Sequence, residues 1–180
     1  MCCLFRDCSS LTSISIPKGV KSIGKSTFRG CSALTNISIP DRVTSIGGSA
    51  FRGCNRLKSI TLPFIGNIKN GTSNTYFGYI FGANSYSDNS KYVPTTLKTV
   101  VLTGGSSIGS SAFYGCSSLT SISIPGGVTG IGSSAFRYCS SLTSIRFGGT
   151  TAQWNKISFG SSWNSSIGNY TVTCTDGTIR

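Results

Sequence analysis

"LTNISIPDRVTSIGGSAFRGCNR", residues 34–56, is the stretch that decides the fold, because the chain repeats it almost unchanged. The same phrase returns as "LTSISIPGGVTGIGSSAFRYCSS" at residues 119–141. The cysteine of each copy recurs every 23 residues in two series, which are Cys8, Cys31 and Cys54, and then Cys116 and Cys139. Self-similarity at such a period is typical of solenoids, in which each repeat forms one coil that packs on the next.

Each copy begins with a predicted short strand. In the first copy, Leu11, Ile14 and Ile16 follow the pattern LxxIxI, in which the last two residues alternate with serines. Alternation of this kind places the apolar residues on one buried face of a strand. Pro17 ends the strand because its nitrogen cannot donate a hydrogen bond to a neighbouring strand. Six such strands are predicted, and they start at Leu11, Leu34, Leu57, Leu97, Leu119 and Leu142.

The rest of each copy forms the return path of the coil. Val20 and Ile23 are expected to point inward, Gly24 to permit a turn, and Phe28 and Cys31 to be buried beside a brief helical or 3₁₀ turn. A period of 23 residues falls in the leucine-rich repeat class of about 20 to 29 residues. The predicted fold is therefore a leucine-rich repeat solenoid, a right-handed coil with one parallel β-sheet on its concave face and short turns and loops on its convex side.

One repeat is longer than the period of 23 residues. Two successive strand starts are 40 residues apart, one period plus 17, and the extra segment within residues 63–96 is rich in Asn, Gly, Ser and Tyr. We expect three apolar side chains of this segment to be buried in the core, namely Phe77, Ile80 and Phe81. Two interpretations stay open, an expanded convex loop or a binding loop. Aromatic residues that suit contact with a sugar or a protein are Tyr76, Tyr79, Tyr86 and Tyr92.

The repeat stops near the C-terminal end of the chain. Residues 1–149 are predicted to form a solenoid of about six coils, and residues 150–180 a cap that covers its last coil. In the cap, Thr151 is a candidate helix cap and the alternating run "YTVTC" a candidate strand. Trp154 and Trp163 are interpreted as residues that pack in this cap rather than as platforms for a ligand.

The composition argues against an enzyme. The chain has no histidine, no glutamate and only four aspartates, so the usual general bases and most zinc ligands are missing. The run "GSSIG" resembles a nucleophile elbow around Ser107, but no histidine is present to activate the serine. The run "GIGSSA" recurs with the repeat and is not followed by a βαβ unit. We therefore predict no catalytic residue, no metal site and no cofactor.

The repeat cysteines are predicted to form a column of thiols. Their spacing is that of coils and differs from the C-x₂-C spacing of a metal site. Stacked coils leave the Cβ vectors parallel, whereas a disulfide needs a dihedral angle near about 90°. We expect buried thiols that pack as small hydrophobic groups. Cys2, Cys3 and Cys174 have no place in the column, and their state stays open.

Positive charge supplies the candidate binding residues. Sixteen Lys and Arg against four Asp give a formal net charge of +12, which favours encounters with anionic surfaces. Tyr114 replaces arginine in one coil, but otherwise an arginine stands two residues before the repeat cysteine, at Arg6, Arg29, Arg52 and Arg137. These side chains form either an anion-binding stripe or a solvated edge. The open strand face, lined by hydroxyl groups, adds Lys58, Lys98 and Arg146 as candidates.

The pattern "LxxIxIPxxVxxIGxxAFxxCxxL", matched at residues 34–57 and 119–142, resembles the BspA-like leucine-rich repeats of bacterial surface proteins. The resemblance covers nearly the whole chain. It implies a non-enzymatic adhesion or binding module of a secreted or cell-surface protein, with a host protein, a neighbouring-cell protein or an acidic glycan as partner. Because a fold does not fix a ligand, a structural spacer or self-assembly element of a larger surface protein stays open as an alternative.

The first residues indicate what lies around this module. The chain opens partway through a repeat, so we expect the C-terminal fragment of a longer protein, or else an unusual gene product without an N-terminal cap. The incomplete first coil is a candidate surface for end-to-end association. No apolar run reaches the roughly 18 to 20 residues that span a bilayer, so membrane insertion is not expected. Nucleic acid is not an expected partner, because aromatic residues do not interleave with the arginines.

Overall fold

The computed structural model describes residues 3–179, and Cys2 lies outside the described residues. In chain order, the strands are β1 (Ser22–Ile23), β2 (Asn36–Ser38), β3 (Ser45–Ile46), β4 (Ser59–Leu62), β5 (Thr99–Leu102), β6 (Ser107–Ile108), β7 (Ser121–Ile124), β8 (Gly130–Ile131), β9 (Ser144–Phe147), β10 (Ser158–Phe159), β11 (Thr171–Thr173) and β12 (Thr178–Ile179). The helices are short, and comprise α1 (Asn89–Tyr92), α2 (Thr151–Trp154) and 3₁₀ helices at Phe77–Phe81 and Tyr86–Asp88.

Seven strands form the main sheet, in the order β12-β11-β9-β7-β5-β4-β2. All pairs from β2 to β11 are parallel, and β12 is antiparallel to β11. The register stacks equivalent residues of successive coils into a buried apolar column, which consists of Ile37, Ile60, Val100, Ile122, Ile145 and Val172. The predicted leucine-rich repeat solenoid is therefore confirmed, and five of the six predicted strand starts lead into the main sheet.

The first predicted strand is wrong, because the segment that starts at Leu11 has no strand geometry. This segment contacts a neighbouring coil on one side only, where the N–H of Thr35 donates to the carbonyl oxygen of Thr12 at 3.3 Å. Ile14 and Ile16 are half-buried rather than buried. A short edge segment with one neighbour makes too few hydrogen bonds to hold a regular strand.

A second set of short strands follows the return path and was not predicted from the sequence. β1 pairs with β3, while β10, β8 and β6 form a three-stranded ladder, and all these pairs are parallel. Three of the glycines that follow these strands let two coils approach closely, since a Cβ on Gly47, Gly132 or Gly160 would collide with the main chain of the preceding coil. The turn predicted at Gly24 is present, because the N–H of Thr27 donates to the carbonyl oxygen of Gly24 at 3.4 Å.

A column of aromatic rings runs through the core, and we call it the ring column. Neighbouring ring centroids are 4.9 to 6.2 Å apart, and the order of contact is Phe5, Phe28, Phe51, Phe81, Phe77, Phe113, Phe136 and Trp163. The planes of Phe113 and Phe136 differ by only 5°. Each aromatic pair adds about 0.5 to 1.5 kcal/mol to the stability that burial supplies. The ring column therefore stabilises the packing of each coil on the next.

Residues 63–96 form a coil of irregular length that keeps the ring column continuous. Phe77, Ile80 and Phe81 are each 1% exposed, which confirms that they pin the segment to the core. The N–H of Phe51 donates to the carbonyl oxygen of Ile80 at 2.8 Å, the same bond that other column phenylalanines make to the next coil. The inserted segment thus supplies the contacts of an ordinary coil and places its extra residues outside them.

The inserted segment interrupts the ladder on the return path. Ile68 forms an isolated antiparallel bridge with Ser45 of β3, and Asn67 accepts a hydrogen bond from the N–H of Ile46 at 2.8 Å. No parallel strand in the described residues joins β3 to β6. The return path is therefore divided into two blocks, although the main sheet stays continuous.

One buried amide joins the inserted segment to the following coil. Asn89 is fully buried, and its Oδ1 accepts a hydrogen bond from the N–H of Gly78 at 2.8 Å. Its Nδ2 donates to the carbonyl oxygen of Ala112 at 3.3 Å. Both ends of the side chain are thus paired, as burial of an amide requires.

We predict that Asn89→Ala lowers the free energy of unfolding by about 1 to 3 kcal/mol, because it leaves the buried N–H of Gly78 without its acceptor. Urea unfolding followed by circular dichroism measures the change. Asn84→Ala, at an exposed position of the same segment, is the matched control and is expected to have little effect. Equal losses in the two variants would contradict this role for Asn89.

The helix of the C-terminal region begins one residue earlier than predicted. Thr150, not Thr151, is the cap, since its Oγ1 accepts a hydrogen bond from the N–H of Gln153 at 3.2 Å. Oε1 of Gln153 accepts in return from the N–H of Thr150 at 2.8 Å, which completes a capping box. The N–H of Thr151 instead donates to Asp176 at 2.7 Å.

The C-terminal residues pack against the coil of Phe136 and extend the main sheet. The run "YTVTC" contains β11, as predicted, and β11 extends the main sheet beyond β9. Trp154 is 6% exposed, and the ring of Trp163 lies 6.2 Å from that of Phe136. The interpretation of both tryptophans as packing residues is confirmed, whereas the boundary between residues 149 and 150 stays a prediction.

Candidate functional site

The arginines of the predicted stripe occupy equivalent places on one edge of the solenoid, and we call Arg6, Arg29, Arg52 and Arg137 the arginine column. Arg52 is exposed, and Arg29 and Arg137 are half-buried. The Nε of Arg6 lies 3.3 Å from a carboxylate oxygen of Asp7, which is the one ion pair within residues 3–179. Arg6 is therefore partly neutralised, whereas the other three members have no acidic partner there.

The arginine column is divided by the inserted segment. The N–H of Gly30 donates to the carbonyl oxygen of Arg52 at 2.8 Å, so Arg29 and Arg52 stand in adjacent coils at the same level. The guanidinium carbon of Arg52 lies 5.7 Å from the ring centroid of Tyr92, which the inserted segment supplies. Arg137 stands beyond that segment, three coils further on. The N–H of Asp7 donates to the carbonyl oxygen of Arg29 in the same way, so the structure brings together three of the four arginines, Arg6, Arg29 and Arg52.

The four tyrosines predicted in the inserted segment do not form one cluster. The rings of Tyr76 and Tyr79 lie 6.2 Å apart, and the hydroxyl of Tyr76 donates to the carbonyl oxygen of Ala83 at 3.3 Å. Burial raises the pKa of Tyr76 above its ordinary value. Tyr92 is half-buried, whereas Tyr86 is 47% exposed. Only Tyr86 has the exposure expected of a ligand contact.

Tyr86 instead joins two tyrosines of the repeat that were not predicted as binding residues. Its ring centroid lies 5.3 Å from that of Tyr114, which lies 5.3 Å from that of Tyr138, and neighbouring planes are 76° and 89° apart. The guanidinium of Arg137 lies 4.8 Å from the ring centroid of Tyr138, and its Nη2 donates to the Tyr138 hydroxyl at 2.9 Å. We call the three tyrosines the tyrosine edge.

The backbone of Tyr138 is unusual for an aromatic residue. Its φ of 63° lies in the left-handed region, and no other aromatic residue among those described has a positive φ. The equivalent position holds Gly30, Gly53 and Gly115 in other coils, with φ between 69° and 79°. The replacement of "FRGC" by "FRYC" was the sequence signal that would have drawn attention to Tyr138.

The basic residues of the main sheet are spread over its face. Lys58 and Lys98 are exposed in adjacent coils, where the N–H of Lys98 donates to the carbonyl oxygen of Lys58 at 2.9 Å. Arg146 is exposed on β9, which lies two strands from β5 in the sheet. Hydroxyl and amide groups fill much of the remaining face, and Ser59 donates to Asn36 at 2.7 Å. The face offers a polar, mildly basic surface rather than a pocket.

The thiol column is buried except at its first member. Cys31, Cys54, Cys116 and Cys139 are buried free thiols, which confirms the prediction for these four residues. The prediction is wrong for Cys8, which is exposed, because among the described residues its segment packs against a coil on one side only. Outside the column, Cys174 is a buried free thiol, and the thiol of Cys3 donates to a main-chain carbonyl at 3.7 Å.

The buried thiols are unreactive in character. The Sγ of Cys54 donates to the carbonyl oxygen of Phe28 at 3.2 Å, and that of Cys139 to Phe113 at 3.0 Å. Desolvation raises the pKa of both Cys54 and Cys139 to about 12. Since the thiolate is the nucleophile, a raised pKa leaves these side chains mainly as neutral thiols near neutral pH, and they pack between coils.

We predict that iodoacetamide at about pH 8 modifies Cys8 first and modifies Cys54 and Cys139 at least about a hundredfold more slowly, since burial limits access and a raised pKa leaves little thiolate. Peptide mapping by mass spectrometry measures the rates. The protein unfolded in urea, in which all these thiols should react, is the control. Comparable rates at Cys8 and Cys54 in the folded protein would contradict the burial of the column.

Two further kinds of site, a metal site and a membrane-spanning helix, are not found among the described residues. Within residues 3–179, no group of three or more Cys or Asp side chains is arranged to hold a metal ion. The described residues contain no helix with the length and apolar character needed to cross a membrane.

Comparisons with known proteins agree with the geometry of the coils. The model of the BspA type leucine-rich repeat region matches in six copies, over residues 2–86 and 106–176. No curated protein matches the chain.

Two solved structures share the architecture. One is a leucine-rich cell surface protein of Faecalibacterium prausnitzii A2-165, with 32% sequence identity and a TM-score of 0.51, and the match covers 82% of this chain and 35% of that one. The other is a leucine-rich repeat protein of T. pallidum, with 27% identity and a TM-score of 0.50, covering 87% of this chain and 63% of that one. The chain thus spans less than two thirds of either protein. It belongs to the BspA-type leucine-rich repeat family.

Proposed function

We propose that this chain is a non-enzymatic binding module of a secreted or cell-surface protein, and that it contacts host or neighbouring-cell proteins or anionic glycans. Its family and the description of the F. prausnitzii relative as a cell surface protein support the coarse role. The absence of histidine and glutamate from the sequence and the high pKa of its buried thiols support a role without catalysis.

The observation that carries the proposal is the unneutralised positive charge of the arginine column. Arg29 and Arg52 lie in adjacent coils, and neither has an acidic partner among the described residues. Like charges held one coil apart repel each other, and a bound anion relieves this repulsion. Guanidinium groups also pair well with carboxylate and sulfate oxygens, which are the charged groups of acidic proteins and glycans.

We predict that replacing Arg29, Arg52 and Arg137 together by serine weakens retention on heparin. If each arginine makes one ionic contact, the slope of log affinity against log salt concentration should fall by about three. Salt-dependent elution, or calorimetric titration at several salt concentrations, measures this change.

The matched control replaces Lys18, Arg42 and Lys156 by serine, which are exposed cations outside the arginine column. Both triple variants lose the same formal charge, so a general effect of net charge would weaken them equally. Equal elution of the two variants, or unchanged retention of the column variant, would remove the arginine column from the proposed function.

A second candidate function is self-assembly in a larger surface protein, and the N-terminal end of the solenoid favours it. Apolar side chains line an open recess there, formed by Leu4, Phe5, Ile14, Ile16 and Val20 among others. Leu4 is 57% exposed, and one face of the Phe5 ring stacks on Phe28 at 5.4 Å. Exposed apolar patches of this kind commonly mark interaction surfaces.

We predict that the protein associates as its concentration rises and that Leu4→Asp weakens this association about tenfold, since a carboxylate must then be desolvated at the contact. Sedimentation velocity over a concentration series measures the effect. Ile68→Asp, which changes an apolar side chain that is 51% exposed elsewhere, is the control and should associate like the parent protein. A parent protein that stays monomeric at the highest reachable concentration would exclude self-assembly through this end.

A further inference from the structure

The tyrosine edge brings together residues from three separate parts of the chain. Tyr86 comes from a 3₁₀ helix of the inserted segment, and Tyr114 and Tyr138 come from the two coils that follow. Tyr86 and Tyr138 are 47% and 40% exposed, while the central Tyr114 is half-buried between them. The result is a row of aromatic rings on the outside of the solenoid, one coil apart and distinct from the ring column of the core.

The fold does not require an aromatic residue at position 138. Gly30, Gly53 and Gly115 fill this place in other coils, and Asp7 fills it in the first with a φ of 59°. A tyrosine in the left-handed region is strained, whereas glycine adopts it readily. Residues with a strained backbone concentrate at functional sites. Because the fold accepts glycine at position 138, the strain at Tyr138 indicates that its side chain has a role in binding.

The charge around the tyrosine edge is positive. Arg137 lies over the ring of Tyr138 at 4.8 Å and bonds its hydroxyl, which holds the guanidinium beside the exposed ring. Lys91 of the inserted segment lies over the ring of Tyr92, at 5.4 Å from its centroid, and so belongs to the surroundings of Arg52 rather than to the tyrosine edge. The one acidic group of this segment, Asp88, accepts a hydrogen bond from Ser85 at 3.3 Å. An occupant therefore needs an apolar face for the rings and a negative charge for Arg137.

We propose that the tyrosine edge binds a glycan whose pyranose rings carry carboxylate groups. The C–H faces of sugar rings pack on aromatic rings, and the two exposed rings, Tyr86 and Tyr138, lie on either side of Tyr114, which each of them contacts edge to face. The terminal N–H groups of Arg137 donate hydrogen bonds to the carboxylate. This inference rests on the surface-binding role proposed above and narrows it to an acidic glycan at a site separate from Arg29 and Arg52.

Two substitutions that restore the residue found elsewhere in the repeat test the site. Tyr138→Gly removes one ring and relieves the strained backbone, and Tyr114→Arg removes another ring while adding a positive charge. Isothermal titration with a hyaluronan octasaccharide and a sialic acid octamer measures binding. We expect at least one of these probes to bind the parent protein, and each substitution to weaken that binding about five- to tenfold.

Thermal unfolding of the variants separates binding from folding. Tyr138→Gly should unfold at or above the temperature of the parent protein, so that weaker binding is not a loss of structure. If the unfolding temperature of Tyr138→Gly falls instead, the binding measured with Tyr114→Arg is the test of the site. Arginine occupies the equivalent position in the coils of Arg29 and Arg52, so the fold accepts this substitution. Tighter binding by Tyr114→Arg would show that charge alone attracts the probes and would overturn the proposal.

Further controls distinguish this inference from the wider proposed function. Equal affinity for an uncharged chitin oligosaccharide would overturn the assignment to an acidic glycan. Inorganic polyphosphate has negative charge but no sugar rings. If it binds the parent protein as tightly as the acidic glycans do, and if the tyrosine substitutions weaken that binding equally, the assignment to a glycan is also overturned. If neither acidic probe binds while heparin retention still depends on Arg29 and Arg52, the tyrosine edge is excluded and the proposed function stands. If heparin retention does not depend on Arg29 and Arg52 but tyrosine-dependent binding of an acidic probe is found, the arginine column is excluded as the binding surface and the tyrosine edge stands.

Discussion

The ring column is the constraint on which the rest of the solenoid depends. Each coil must place an aromatic ring 4.9 to 6.2 Å from the ring of its neighbour, and this spacing sets how coils stack. The inserted segment keeps the ring column continuous with two rings, Phe81 and Phe77, whereas a regular coil supplies one. A coil that meets this condition is free to vary in the residues that face solvent, which is where the candidate binding residues lie.

Much of the fold could be predicted because a period in the sequence determines neighbours in space. Residues 23 positions apart stack on each other, so the burial of Cys54 and Cys139 follows directly from the repeat. The predictions failed where a residue lacks such a neighbour. Among the described residues, the segments around Cys8 and Leu11 contact a neighbouring coil on one side only, and they are accordingly irregular and partly exposed.

The candidate site was less predictable for a related reason. The arginines repeat with the period and were found at once, but no period sets the path of residues 63–96. Only the structure shows that this segment separates Arg52 from Arg137 and brings Tyr86 against Tyr114. The contact between Tyr138 and Arg137 also depends on a left-handed backbone conformation, which Gly30, Gly53 and Gly115 adopt at the equivalent position of other coils. Information about a ligand therefore lies in the residues that depart from the repeat.

The break in the ladder on the return path also affects how the solenoid opens. In a repeat protein, stability is a sum of terms within coils and between adjacent coils, so the weakest junction limits how far cooperativity extends. At the inserted segment, one parallel ladder ends at β3 and the next begins at β6. There the two blocks are joined by the main sheet, the ring column and the paired amide of Asn89. We therefore expect the two blocks, which differ in length, to unfold less cooperatively with each other than the coils within either block do.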